Sequence, residues 1–173
     1  MTGTTTAWIG LGSNLDDPQA QVRAAAAALG RTDGLQVEAV SSLYTSPPMG
    51  PPDQPDFINA VMQVTTMLGA EAVLDVLLAQ EQAQARRRGR RWGPRTLDLD
   101  LLLFGDAVIN SPRLQVPHPG IHARAFVLYP LAELAPGLHI PGMGSLQELL
   151  CVCPAAGLQR IRTDGTTVAV ADG

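Results

Sequence analysis

The chain contains no lysine; all 12 of its basic residues are arginine. That absence removes mechanisms built on a Schiff-base lysine, a Walker-type lysine or the lysine of a protein kinase. Cation chemistry falls to guanidinium groups, which suit bidentate phosphate contacts. Cysteine is almost as scarce. Cys151 and Cys153 are too few for a disulfide framework and, with no histidine at ligand spacing nearby, do not make a zinc site, so they read as reduced thiols. No run approaches the roughly 18 apolar residues of a membrane span, and MTGTTTAWIG lacks a basic region followed by an apolar one. The expectation is a soluble, cytoplasmic protein with no membrane partner.

At 173 residues and 46% apolar, the chain can bury one real core and is too short for two comfortable ones. Residues 1–173 therefore read as a single domain, with a core over about 7–150 and a tail over about 156–173. AWIGL (7–11) has the composition of a buried strand. GSNLDDP follows as a turn in which Asp16 or Asp17 caps a helix with Pro18 at its first position, and Gly30 ends that helix. Residues 35–44 predict a strand by alternation, and TSPPMGPPDQPD, with its five prolines, a stiff loop. A strand over 57–66, a helix over 70 to about 86 and a strand over 97–104 follow.

The order strand, helix, strand, strand, helix, strand implies an α+β, ferredoxin-like βαββαβ core, an antiparallel sheet with helices packed on it. C-terminal additions are a short strand, the loop VPHPGIHAR, helices near 125–134 and 146–150, and a hairpin in LQRIRTDGTTVAV turning at Asp164 and Gly165.

Within the strand of GPRTLDLDLLLFG, residues two apart share a face, so Leu97, Leu99 and Leu101 point one way and Asp98 and Asp100 the other. Two carboxylates about 7 Å apart on one face repel unless a cation joins them, and Mg²⁺ accepts a few carboxylates together with phosphate oxygens. The bland alternative is an ordinary solvent-facing strand. Upstream, Arg86, Arg87, Arg88, Arg90, Arg91 and Arg95 concentrate half of the basic residues in a chain of net charge −4. An acidic chain with 4% aromatics is a poor nucleic-acid binder. Arginines beside paired carboxylates suit a small, highly phosphorylated ligand instead.

GLGSNL lacks the third glycine of a dinucleotide fingerprint and reads as a strand-ending turn. His118 lies between two prolines near Arg113, Gln115, His122 and Arg124, a set of candidate anion contacts. Phe57 near Asn59, and Phe126 near Arg124, suggest stacking on a flat heterocycle.

Three segments, SPPMGPPDQPDFINA, RRWGPRTLDLDLLLFG and VPHPGIHARAFVLYPL, together with GLGSNL, closely resemble the signatures of the 6-hydroxymethyl-7,8-dihydropterin pyrophosphokinase family over roughly residues 8–150. The resemblance implies a folate-pathway enzyme that transfers pyrophosphate from ATP to a pterin alcohol and releases AMP. It implies Asp98 and Asp100 as ligands of two Mg²⁺ ions, and a pterin site of Ser46, Pro47, Met49, Phe57, Asn59, Trp92 and Phe126. It implies ATP contacts from Glu81, Arg91, Trp92, Arg95, Leu101, Arg113, Gln115, His118 and Arg124, with Arg86 and Arg88 closing over the nucleotide. Asp98, Asp100, Arg86, Arg88 and Arg95 would then be the catalytic set of a monomer.

The chain departs from the common family pattern at Ser46 for threonine, Phe57 for tyrosine, Leu78 for glutamine and Pro119 for an aromatic residue. Two alternatives come from other classes. A ferredoxin-like RNA-binding module shares the order of elements but needs aromatic strand positions absent here. An inactive pterin- or nucleotide-binding homologue would need none of the catalytic residues.

Overall fold

The computed structural model describes residues 3–15, 17–47, 55–87 and 97–172. Its elements are β1 (Thr5–Ser13), α1 (Pro18–Gly30), β2 (Leu35–Val40), β3 (Tyr44–Ser46), β4 (Phe57–Thr66), α2 (Ala70–Arg87) and β5 (Asp98–Phe104). There follow β6 (Ile109–Asn110), β7 (Gln115–Val116), a 3-10 turn (Ile121–Ala123), α3 (Ala125–Leu134), β8 (His139–Ile140), β9 (Gly144–Ser145), α4 (Leu146–Val152), β10 (Gln159–Ile161) and β11 (Thr167–Ala169).

One sheet organises the chain. Its strands run β11-β10-β3-β4-β1-β5, with β2 also paired to β4, and β1, β2, β3 and β5 each pair antiparallel with their neighbours in this core. Fourth core strand beside first, first beside third, third beside second is the expected ferredoxin-like arrangement. Alternation along β1, β4 and β5 sends Ile9, Leu11, Ala60, Met62, Leu99 and Leu101 to one face, where they pack on Val22, Ala25 and Leu29 of α1 and Val73 and Leu77 of α2. The opposite face carries Trp8, Val61, Leu102 and Leu103 into a second core with Leu128 and Leu131 of α3 and Leu146 and Leu150 of α4. Leu102 and Leu103 both reach this second core because the β1–β5 register shifts between Trp8 and Ile9, placing an extra residue in β5.

Two expectations are corrected. The strand expected over 35–44 is two strands. Ser41 N donates to Val61 O at 2.8 Å, but Val61 N is taken by Ser41 Oγ at 2.9 Å and Ser42 donates to the Glu133 carboxylate of α3 from its N–H and its hydroxyl, so side chains interrupt the ladder between Val40 and Tyr44. The first strand does not end at Leu11 but continues to Ser13, so Gly10 and Gly12 are strand residues, not a turn. The hairpin expected to turn at Asp164 and Gly165 is present as β10 and β11, and it joins the main sheet through β3.

At the first helix, Asp17 accepts from Ala20 N at 3.5 Å with Pro18 in the first turn; Asp16 lies outside the described residues. α4 starts with a reciprocal cap between Ser145 and Glu148. No helix among the described residues is long and apolar enough to cross a membrane.

Candidate active site

The ends of four core strands meet at one edge of the sheet, beneath the start of α3. They enclose a cavity of about 210 Å³ lined by Gly10, Gly12, Ser46, Pro47, Phe57, Asn59, Asp98, Asp100, Arg124 and Phe126, among others. The register explains the opening. Asp98 and Asp100 lie opposite Gly12 and Gly10, and on the other side of β1 those glycines face Asn59 and Val61. Because residues 10 and 12 put no side chain on this face, the floor stays open between the carboxylates and Asn59.

Asn59 is buried, and its Oδ1 accepts from Ser46 Oγ at 2.8 Å. That bond occupies the carbonyl end of the amide and orients the amide within the pocket wall. Both residues are set by the β3–β4 ladder, in which Ser46 pairs with Phe57 and Tyr44 with Asn59. Asn14 Nδ2 donates to Pro55 O at 3.3 Å, tying the end of β1 to the segment that leads into Phe57. The Arg124 guanidinium lies 5.8 Å from the centre of the Phe126 ring, a cation–π contact beside the cavity. A Cβ at Gly120 would stand 2.9 Å from Arg124 Nε, so a side chain there would shift the guanidinium.

His118 reaches Asp100 from the loop after β7. Its N–H donates to Leu102 O at 2.9 Å, fastening the loop to the outer edge of β5. Its Nδ1 accepts from Gly120 N at 3.2 Å, which puts the ring proton of the neutral form on Nε2, 4.0 Å from Asp100 Oδ1. Burial is the main influence on the imidazole and lowers its pKa below the ordinary histidine value; Asp100 opposes this and Arg124 adds to it.

Two carboxylates on one strand face do not form an all-protein metal cage, and no group of three or more metal-ligating side chains occurs among the described residues. The pair does fit an oxygen-seeking divalent ion that takes its remaining ligands from phosphate and water, as Mg²⁺ does.

The family profile of 7,8-dihydro-6-hydroxymethylpterin-pyrophosphokinase (HPPK) matches residues 8–136. The chain belongs to the HPPK family. A 2-amino-4-hydroxy-6-hydroxymethyldihydropteridine pyrophosphokinase of Pseudomonas aeruginosa is 51% identical to this HPPK-family chain over 154 residues, 89% of the chain and 95% of the relative. One of Haemophilus influenzae is 46% identical over 145 residues, 84% and 91% of the two chains. Among solved structures, wild-type Plasmodium falciparum HPPK-DHPS with pteroate superposes with a TM-score of 0.64 at 14% identity. There the alignment covers 86% of this chain but only 42% of the other, and the likeness is one of fold.

The HPPK-family fold brings together Ser46, Pro47, Phe57, Asn59, Asp98, Asp100, Arg124 and Phe126, with His118 adjoining Asp100. It holds three of the residues named for ATP in other contacts. Arg113 donates to Glu71 Oε1 at 3.0 Å and Asp75 Oδ1 at 2.6 Å on α2. Gln115 Nε2 donates to Asn110 Oδ1 at 3.4 Å. Glu81 Oε2 accepts from Leu99 N at 2.7 Å, on the outer edge of β5, where Leu101 two residues on also turns its backbone groups. Met49, Arg88, Arg91, Trp92 and Arg95, and the side chain of Arg86, lie outside the described residues.

Sequence reasoning missed Gly10 and Gly12 as pocket-forming residues. Their signal was the two-residue spacing inside an apolar strand, which places both on one face.

Proposed function

We propose that this chain catalyses pyrophosphoryl transfer from ATP to the hydroxymethyl group of 6-hydroxymethyl-7,8-dihydropterin, releasing AMP, a step of folate biosynthesis. The observation that carries the reading is one cavity lined by two carboxylates, a buried amide and two phenylalanines. Family membership and the bacterial relatives named above support it.

In this reading the flat pterin lies between Phe57 and Phe126, whose ring faces stack on it without adding charge. Asn59, its carbonyl engaged by Ser46, presents the amide nitrogen to the heterocycle's polar edge. Asp98 and Asp100 would hold two Mg²⁺ ions, which would supply charge neutralisation for the triphosphate and polarisation of the β-phosphorus. Arg124 and the neutral His118, with its proton on Nε2, supply donors beside those carboxylates.

The pterin hydroxyl oxygen forms the new bond to the β-phosphorus, and the bond from that phosphorus to the α,β-bridging oxygen breaks. AMP departs with the electron pair, and the hydroxyl proton passes to solvent. Positioning and charge stabilisation account for the rate, so no strong base is needed. Arg86, Arg88, Arg91, Trp92 and Arg95 are assigned to the nucleotide, with Trp92 also beside the pterin and Met49 lining its pocket, by family resemblance. Arg113 would first have to leave Glu71 and Asp75.

The RNA-binding alternative loses its surface, because the sheet face that such a module leaves open is covered here by α3 and α4. We take the protein to be a single domain, since both cores flank one sheet, and we carry over from the sequence the expectation of a cytoplasmic monomer. Incubation with the pterin alcohol, ATP and Mg²⁺, followed by identification of the nucleotide released, tests the function. AMP is expected; ADP, or no turnover, overturns the reading.

A further inference from the structure

The family profile ends at residue 136, yet the chain continues into a hairpin that is built into the main sheet beside the pocket. β3, only three residues long, lies between β4 and β10, with Tyr44 opposite Arg160 and Thr45 opposite Gln159. Ile161 N donates to Leu43 O at 2.8 Å, extending that contact by one residue. The next residue of β3 is Ser46, which orients Asn59, and after it comes Pro47 in the cavity wall. A strand this short has little hold of its own, so its second neighbour matters.

The hairpin is itself fastened. Leu158 is buried in the second core and Ile161 in the first. Val170 N donates to Leu158 O at 3.1 Å, and Ala155 N to Asp172 Oδ1 at 2.7 Å. Gly157, just before β10, has φ +82°, and a Cβ there would stand 3.3 Å from Pro47 Cγ. Pro47 thus rests on a glycine that offers it a flat seat.

We propose that the C-terminal hairpin is a positioning element of the pterin pocket, acting through the β10–β3 pairing and the seat of Pro47 on Gly157. The inference rests on the functional reading above. It assigns a role in pterin binding, and none in ATP binding, to a segment outside the family match.

The test compares two glycines of matched backbone. Gly165 has φ +89° and open space around its Cβ position, so a side chain there carries the same conformational strain without touching Pro47. Equilibrium binding of the pterin alcohol and, separately, of an ATP analogue with Mg²⁺ is measured for wild type, Gly157→Ala, Gly157→Leu, Gly165→Ala and Gly165→Leu. Pterin affinity should fall about fivefold for Gly157→Ala and on the order of tenfold or more for Gly157→Leu, stay within about twofold for the Gly165 pair, and nucleotide affinity should match throughout.

Equal pterin affinities for the Gly157 and Gly165 variants overturn the hairpin's role alone, whereas a wild-type protein that binds no pterin alcohol overturns the functional reading. If Gly157→Leu fails to fold, amide exchange in the wild type decides. Pterin binding should slow exchange at the Ile161 N–H, and an unchanged rate there overturns the proposal.

Discussion

Gly12 and Asn59 face each other across the β1–β4 ladder, and a Cβ on Gly12 would stand 3.1 Å from Asn59 Nδ2. An alanine at position 12 must therefore displace the amide that Ser46 orients. Gly12→Ala should raise the KM for the pterin by about tenfold and leave that for ATP within about twofold. Gly10→Ala meets only the Leu102 side chain, at 3.4 Å, and should be milder. Steady-state kinetics with each substrate varied in turn will check this, and equal effects on both KM values would count against the assignment of Asn59 to the pterin.

The carboxylate pair gives the second prediction. Asp98→Asn or Asp100→Asn keeps side-chain size and strand register but removes one charge, so kcat should fall by about 10³-fold or more, while thermal midpoints move only a few degrees. Chelation with EDTA should abolish wild-type turnover, and added Mg²⁺ should restore it. Near-normal turnover in both variants would refute the metal role.

Much of this arrangement was legible in the sequence because it is written in short periods. The two-residue alternation of LDLDL separated the leucines buried under α1 and α2 from the aspartates on the other face. Asp164 and Gly165 marked a turn by their chemistry alone. The break between β2 and β3 was illegible, because it depends on Glu133, 91 residues from Ser42, accepting donors that a continuous strand would have used itself. The same holds for Arg113 and Glu81, whose partners Asp75 and Leu99 are 38 and 18 residues away. Gly10 and Gly12 mislead locally, since glycine suggests a turn. Their purpose appears only once β5 sets aspartates opposite them.

The bond from Ser46 Oγ to Asn59 Oδ1 is buried, so its loss leaves an amide oxygen without that donor. Ser46→Ala should cost about 1–2 kcal/mol of stability by chemical denaturation and weaken pterin binding several-fold. Threonine at position 46 keeps the hydroxyl and should retain most of the affinity. Asn59→Ala removes the recognising group itself and should weaken pterin binding by roughly 1–3 kcal/mol, with nucleotide affinity preserved. A calorimetric titration that found Ser46→Ala and Ser46→Thr equally impaired would show that the hydroxyl is not the group that matters.

The His118 imidazole makes stability depend on pH in a direction fixed by its surroundings. Its folded-state pKa lies below the ordinary histidine value, chiefly through burial, so between the two values the unfolded chain binds more protons than the folded one. The stabilisation associated with the neutral ring is therefore complete above about pH 6.5 and is lost as pH falls from there toward the folded value. His118→Asn, which cannot titrate, should lack this slope, so the stability advantage of wild type over the variant should shrink on acidification. Denaturation between about pH 5 and 8, paired with an NMR titration of the His118 ring in metal-free protein, measures both quantities. A ring that titrates above the ordinary histidine value would reverse the sign, and would mean that Asp100, 4.0 Å from Nε2, outweighs burial at this site.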